Sequence, residues 1–128
     1  MKKYNILLID DDDVNTFFVQ HKLSSISSVN EILIAENGQD ALDKLDAFEA
    51  DTKALDFIFL DINMPVMNGF EFLEIYQTSY NDIRNASQLY IVSSSNHPSD
   101  REKANTFECV KGYIDKDNVI EDITEIIT

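Results

Sequence analysis

Apolar residues fall into two alternating rhythms along this chain. Short runs that are continuous or nearly so occupy Asn5 to Ile9, Glu31 to Ala35, Phe57 to Leu60, Leu89 to Val92 and Gly112 to Ile114, and they read as strands. Between and after them, apolar residues recur every three or four positions over Val14 to Ser25, Gly38 to Glu49, Gly69 to Ser79, Ser99 to Phe107 and Asn118 to Ile127. That is the spacing of one buried helical face. The first, third and fourth strands are continuous rather than alternating, as strands covered on both faces by helices are. Strand following helix throughout predicts an α/β fold, a doubly wound five-stranded parallel sheet with helices on both faces.

The punctuation agrees with that reading. Asn37-Gly38 and Asn68-Gly69 stand at two helix starts, and Pro98 suits a first helical turn, where its missing N–H has no partner to lose. Val119, Ile120, Ile123, Ile126 and Ile127 form one stripe on the last helix, enough to pack it on the sheet.

Length and composition narrow the class. A chain of 128 residues suits a single domain over 1–128, with no room for a second, output-type domain. The lone cysteine, Cys109, closes no internal disulfide, and no apolar run approaches membrane-spanning length, so a cytoplasmic protein with no membrane contact is expected. Twenty-four acidic against ten basic residues give a net charge of −14, which repels phosphate backbones and argues against nucleic acid as a partner. The same charge favours cations and basic partner surfaces.

One stretch carries the chemistry. The strand Phe57-Ile58-Phe59-Leu60 delivers a carboxylate, Asp61, at its end, where burying an unpaired charge is costly. In a parallel sheet with right-handed crossovers all strand C-termini share one edge, and ligands bind there. The first strand ends in Asp10 and Asp11, the third in Asp61, the fourth in Ser93, and the fifth is followed by Lys116. Three carboxylates at one edge cannot all stay ionised uncompensated, and a hard divalent cation such as Mg2+ is the natural compensator. A metal-bound carboxylate beside a hydroxyl and an ammonium points to phosphoryl transfer. Asp61 is then the nucleophile that forms an acyl phosphate, Lys116 pairs with a phosphate oxygen and Ser93 donates to another. The metal is expected to bridge Asp11, Asp61 and a backbone carbonyl just after it. Asp12 and Asp13 read as an N-cap and a first-turn acid, favoured there by the helix dipole.

The run from Asp10-Asp11 through Leu60-Asp-Ile-Asn-Met-Pro-Val-Met-Asn-Gly69 and Ile91-Val-Ser-Ser-Ser95 to Gly112-Tyr-Ile-Asp-Lys116 resembles the receiver domain of bacterial two-component response regulators, in particular the single-domain, chemotaxis-regulator-like kind. The resemblance implies the strand order 2-1-3-4-5 of the flavodoxin-like fold. It implies that Asp61 is the phosphoacceptor, that Asp10 and Asp11 are the acidic pair, and that Asn63 gives its backbone carbonyl to Mg2+. It further implies Met64, Pro65 and Gly69 as shapers of the following loop, Ser93 as the switch hydroxyl, Ser94 as its small neighbour, Tyr113 as the switch aromatic, and Asn63 and Ser95 as residues that set phosphate lifetime. The expected function is a phosphorelay switch rather than an enzyme with an external substrate. It accepts a phosphoryl group from a histidine kinase or a histidine phosphotransfer protein and slowly dephosphorylates itself. It signals through the surface of the fourth helix, fifth strand and fifth helix, to a downstream protein target or by onward phosphotransfer.

Two positions depart from the family pattern. Asp117 stands where the family has a proline joined by a cis peptide, and a cis bond before a non-proline residue costs about 3 kcal/mol, which leaves the approach of Lys116 open. Ser93 stands where threonine is commoner and keeps the donor. A rival reading takes Leu7-Leu-Ile-Asp-Asp-Asp-Asp-Val14 as the motif of haloacid-dehalogenase-like phosphatases, with Asp10 as nucleophile, but it leaves Asp61 and the residues after it without a role. Phe17, Phe18 and Val19 give the first helix more apolar circumference than one buried face needs, so one of them is expected to face a docking partner.

Overall fold

The structure, a computed structural model, describes residues 3–51, 54–94 and 98–128. Its elements follow as β1 (Tyr4–Ile9), α1 (Asp13–Ser24), β2 (Val29–Ala35), α2 (Gly38–Asp51), β3 (Phe57–Asp61), α3 (Gly69–Ser79), α4 (Asn81–Ala86), β4 (Gln88–Ser93), α5 (Pro98–Asn105), β5 (Val110–Asp115) and α6 (Val119–Ile127), with one 3-10 turn at Lys116–Asn118. The five strands form one parallel sheet in the order β2-β1-β3-β4-β5. The three runs read as continuously apolar, β1, β3 and β4, are the three interior strands, and all five residues of β3 are buried.

Two cores lie on opposite faces of the sheet. One joins Leu7, Ile9, Ile58, Leu60 and Ile91 to α2, α3 and Ala104 of α5, with Tyr113 half-buried against it. The other joins Ile6, Leu8, Phe57, Phe59, Val92 and Ile114 to Val19 and Leu23 of α1 and to Val119, Ile123 and Ile127 of α6. Successive strand residues alternate between faces, so each interior strand feeds both. Of the stripe on α6, Val119, Ile123 and Ile127 are buried, and Ile120 and Ile126 pack half-buried at its margins.

The short α4 has no counterpart in the sequence pattern. Six residues are less than two turns and carry no readable period. It forms because Tyr80 and Ile83 are buried and the Tyr80 hydroxyl donates to Asp46 Oδ1 at 2.6 Å. With α4 counted, the surface expected to carry the signal is that of α5, β5 and α6.

At the other end of β3 the chain turns tightly. Asn68 caps α3 reciprocally: its side chain accepts the Glu71 N–H at 2.9 Å, and Glu71 Oε1 accepts the Asn68 N–H at 3.1 Å. Gly69 donates its N–H to the Ile62 carbonyl at 2.8 Å, and a Cβ there would lie 2.6 Å from the Asp61 carbonyl oxygen. Only glycine lets the helix start approach the strand end this closely. Between them, Val66 has φ of 66°, and the Met67 N–H donates to the Pro65 carbonyl at 2.7 Å, closing a three-residue turn on Val66. A β-branched residue is strained in that region.

Candidate functional site

The C-terminal strand edge brings the acids together. Asp10 follows β1 and Asp61 ends β3, and both are buried. Alternation from Leu8 and Phe59 turns both toward the α1/α6 face, where they line one small cavity with Asn15, Thr16, Val19, Val119 and Ile123. Oxygens of Asp10, Asp11 and Asp61 all lie within 4.8 Å of one another, with Asp11 exposed at the mouth.

Asp10 is fixed by its neighbours. It accepts the Asp12 N–H at 2.9 Å and the Asn15 side-chain amide at 2.9 Å, while Asp12 itself caps α1 by accepting from the N–H groups of Val14 and Asn15. Asp13 is the acid of the first turn, as expected for the rest of the acidic run. Lys116 reaches in from the end of β5, its Nζ 3.1 Å from Asp10 Oδ2 and 3.6 Å from Asp61 Oδ2. The ammonium thus stands between the two buried carboxylates.

The electrostatics follow from this crowding. Burial first, then the charge of Asp10 and a hydrogen bond with it, push the Asp61 carboxyl up to about 6; Lys116 and the Asn63 backbone N–H pull it the other way. For Lys116, burial works against the charged form, but Asp61 and Asp10 outweigh it and hold the ammonium above the usual lysine range. The oxygen-only donor set and the unbalanced negative charge fit a hard divalent cation.

The remaining candidates lie around this centre. Ser93 ends β4 and is buried. Alternation places it on the same face as Ile91, which pairs in register with Tyr113 on β5. Both switch candidates therefore face α3 and α5, opposite the face of Asp10 and Asp61. Asn63 is exposed in the loop after β3, and Ser94 is exposed just past β4. Ser95 lies outside the described residues. No peptide bond among the described residues is cis, so Lys116-Asp117 is trans, and Lys116 still meets both acids.

A profile of the response regulator receiver domain matches residues 6–128. The chain belongs to the response regulator receiver domain family. A two-component response regulator from Cytophaga hutchinsonii shares its structure with a TM-score of 0.85 at 30% identity, over 99% of this chain and 98% of that one. The nitrate/nitrite response regulator protein NarL of Escherichia coli K12 is 29% identical over 95% of this chain, but only 52% of its own length is covered. A protein-glutamate methylesterase/protein-glutamine glutaminase of Desulfotalea psychrophila is 40% identical over 58% of this chain and 19% of its own length. This chain therefore spans about half of the one relative and about a fifth of the other, and the methylesterase activity belongs to that whole protein. Membership makes this receiver domain a phosphoacceptor module of two-component signalling, and the phosphatase reading of Asp10 is set aside. No helix among its described residues is long and apolar enough to cross a membrane.

Three residues of the receiver domain's site escape a sequence reading. Asn15 holds Asp10 from the first turn of α1, a place the Asp12 cap could have flagged. Arg101 of α5 lies over the Tyr113 ring, its guanidinium carbon 4.3 Å from the centroid. Asp115 accepts the Asp117 N–H at 3.0 Å and so caps the turn that carries Lys116. The last two depend on how separate elements meet, which no local pattern encodes.

Proposed function

We propose that this receiver domain takes a phosphoryl group from a phosphohistidine onto Asp61. The observation that carries the reading is the convergence of Asp10, Asp11 and Asp61 with the Lys116 ammonium reaching two of them. Asp10, Asp11, Asp61 and the backbone carbonyl of Asn63 would hold Mg2+. When bound, that ion neutralises the negative charge that gathers as a carboxylate and a phosphoryl group meet.

One Asp61 oxygen attacks phosphorus, forming the phosphorus–oxygen bond as the phosphorus–nitrogen bond to the donor imidazole breaks, and the imidazole leaves carrying a proton. Lys116 moves its pairing from the two acids to a phosphate oxygen. Ser93 donates its hydroxyl to a second oxygen, with the small Ser94 side chain leaving room, and the space Ser93 vacates admits the Tyr113 ring. That movement changes the α5-β5-α6 surface, which a downstream protein or a further phosphotransfer partner reads. Later a water attacks phosphorus, the bond to Asp61 breaks, and inorganic phosphate and the free carboxylate return; the side chains of Asn63 and Ser95 set how fast.

The donor is a histidine kinase or a histidine phosphotransfer protein. Its docking surface is the apolar collar around the site: Val14, Phe17 and Phe18 on the first turns of α1 and Val66 in the loop after β3 are the most exposed large apolar side chains among the described residues. The domain works in the cytoplasm as a signalling protein and catalyses only its own phosphorylation and dephosphorylation.

Incubation with Mg2+ and acetyl phosphate, followed by intact mass measurement, tests the reading. Wild-type protein gains one phosphoryl group and Asp61→Asn gains none. A phosphorylated Asp61→Asn, or an unmodified wild type, would overturn it.

A further inference from the structure

We propose that Asp115 is a positioning residue that aims Lys116 at the phosphoacceptor; the inference rests on the reading above, in which Lys116 pairs with the transferred phosphate. Lys116 is the first residue beyond β5 and at once enters a single 3-10 turn. The direction of its Cα–Cβ bond is therefore set by that turn rather than by the sheet. A lysine stem has four freely rotating carbons, so where the ammonium ends depends on where the stem begins.

Two hydrogen bonds fix that starting point. On one side, Asp115, in extended conformation at φ −74° and ψ 130°, lays its carboxylate over the turn and accepts the Asp117 N–H at 3.0 Å. On the other, the Lys116 carbonyl accepts the N–H of Val119, the buried first residue of α6. Lys116 is gripped between them. Asp115 is itself anchored, because it pairs in register with the buried Ser93 on β4. The turn is thus referenced to the strand that carries the switch hydroxyl.

The residue types fit this role. The bond needs an N–H at position 117, which proline would lack, and Asp117 supplies it. An aspartate or asparagine reaching two residues on is the usual way to close such a turn. A further acid beside three clustered carboxylates would otherwise be unfavourable, and Asp115 is not one of the carboxylates that converge on the cation site. Alternation along β5 explains why: Asp115 is on the face of Tyr113, while the turn beyond the strand sends Lys116 to Asp10 and Asp61. One residue holds the turn from behind while the next reaches forward.

The experiment follows the rate of phosphorylation of the full chain by acetyl phosphate in Mg2+, read by intact mass, with the melting temperature of each variant measured alongside. Asp115→Ala, which removes the acceptor, is expected to slow the reaction about fivefold, the typical equivalent of one lost cap. Asp115→Gln, one methylene too long to close the turn, serves as a second loss variant should the alanine protein be unfolded. Asp115→Asn keeps the acceptor oxygen and is expected to react within about twofold of wild type, since the two side chains cap comparably. The decisive comparison is the pair Lys116→Ala and Asp115→Ala/Lys116→Ala, which should react equally slowly, because Asp115 acts through Lys116. A wild-type rate in both loss variants overturns the inference while leaving the lysine's role intact. So does an asparagine variant as slow as alanine, or a double variant slower than Lys116→Ala alone. A wild-type rate in Lys116→Ala overturns the role assigned to the lysine, and the positioning of it by Asp115 falls as well.

Discussion

The guanidinium carbon of Arg101 lies 4.3 Å from the centroid of the Tyr113 ring, so a cation from α5 covers the face of an aromatic on β5. The contact matters because Ala104 is the one buried side chain of α5, and a second cation of the helix, Lys103, sits 4.7 Å from the Phe70 ring. Exposed cation–π contacts contribute about 0.5–1 kcal/mol each. Arg101→Ala should therefore speed amide hydrogen exchange in α5 by about two- to fivefold while leaving β1 and β3 unchanged. Hydrogen-exchange mass spectrometry reads this directly, and unaltered exchange in α5 would mean that the contact holds nothing.

The acids of the site set a pH dependence that metal-free protein should reveal. The folded-state value for Asp61, about 6, lies above its ordinary 3.8, so ionising it is harder in the fold than in the unfolded chain. Its contribution to stability is thus fully present below about pH 4 and lost as pH rises through 6. Asp61→Asn removes the titration. In chelator the variant should exceed wild type by on the order of 2 kcal/mol at about pH 8, with the gap closing toward pH 4. Urea unfolding at several pH values checks it; a gap that widens on acidification would reverse the sign of the argument.

Magnesium should stabilise wild type more than variants that lack one of the clustered acids. A ligand that binds only the folded state stabilises it, by about 2.7 kcal/mol at a hundredfold excess over Kd. Wild type should therefore gain in melting temperature on magnesium titration and lose the gain in EDTA, while Asp61→Asn and Asp11→Asn respond weakly. Equal shifts in all three would place the ion elsewhere.

Phe17 is 63% exposed and Phe18 57%, whereas Val19, the third of the run, is buried. Phe17 also lies near-parallel to the ring of His21 one turn on, with centroids 6.3 Å apart. Phe17→Ala and Phe18→Ala are expected to leave stability within about 0.5 kcal/mol of wild type, as surface substitutions do. Transfer from a phosphohistidine protein should slow by about tenfold, a loss within the range of a single interface anchor. Phosphorylation by acetyl phosphate should not change. Slowing with both donors would move these rings from docking to the chemistry.

Val66, 83% exposed at φ 66°, gives up little packing and bears backbone strain. Val66→Gly should relieve about 1 kcal/mol net, after allowing for the extra freedom glycine has in the unfolded chain. A raised denaturation midpoint with slower transfer from a protein donor is the expected pair of results. A lowered midpoint would show that the turn suits valine.

The five strands, their parallel arrangement and the edge carrying Asp10, Asp11, Asp61, Ser93 and Lys116 were legible in the sequence because each rests on a local period or a strand end. Asp12 was legible as a cap for the same reason. The α4 helix was not, since Tyr80 folds it by meeting Asp46 from α2, 34 residues earlier. Arg101 over Tyr113 was hidden likewise, because a cation meeting an aromatic on another element leaves no trace in the apolar period. The strand order itself came from resemblance, not from pattern, because hydrophobic runs do not name their neighbours.

The sheet has a consequence for how a signal could cross the molecule. Asp10 and Asp61 project into one layer, and Ser93 and Tyr113 into the other, with tightly filled β1, β3 and β4 standing between them as a bulkhead. Chemistry on one side therefore has no passage through the wall to the side that would be read. Under the phosphotransfer proposed above, news of it would travel over the rim, along the few residues where the strands run out, while the rest of the interior stays still.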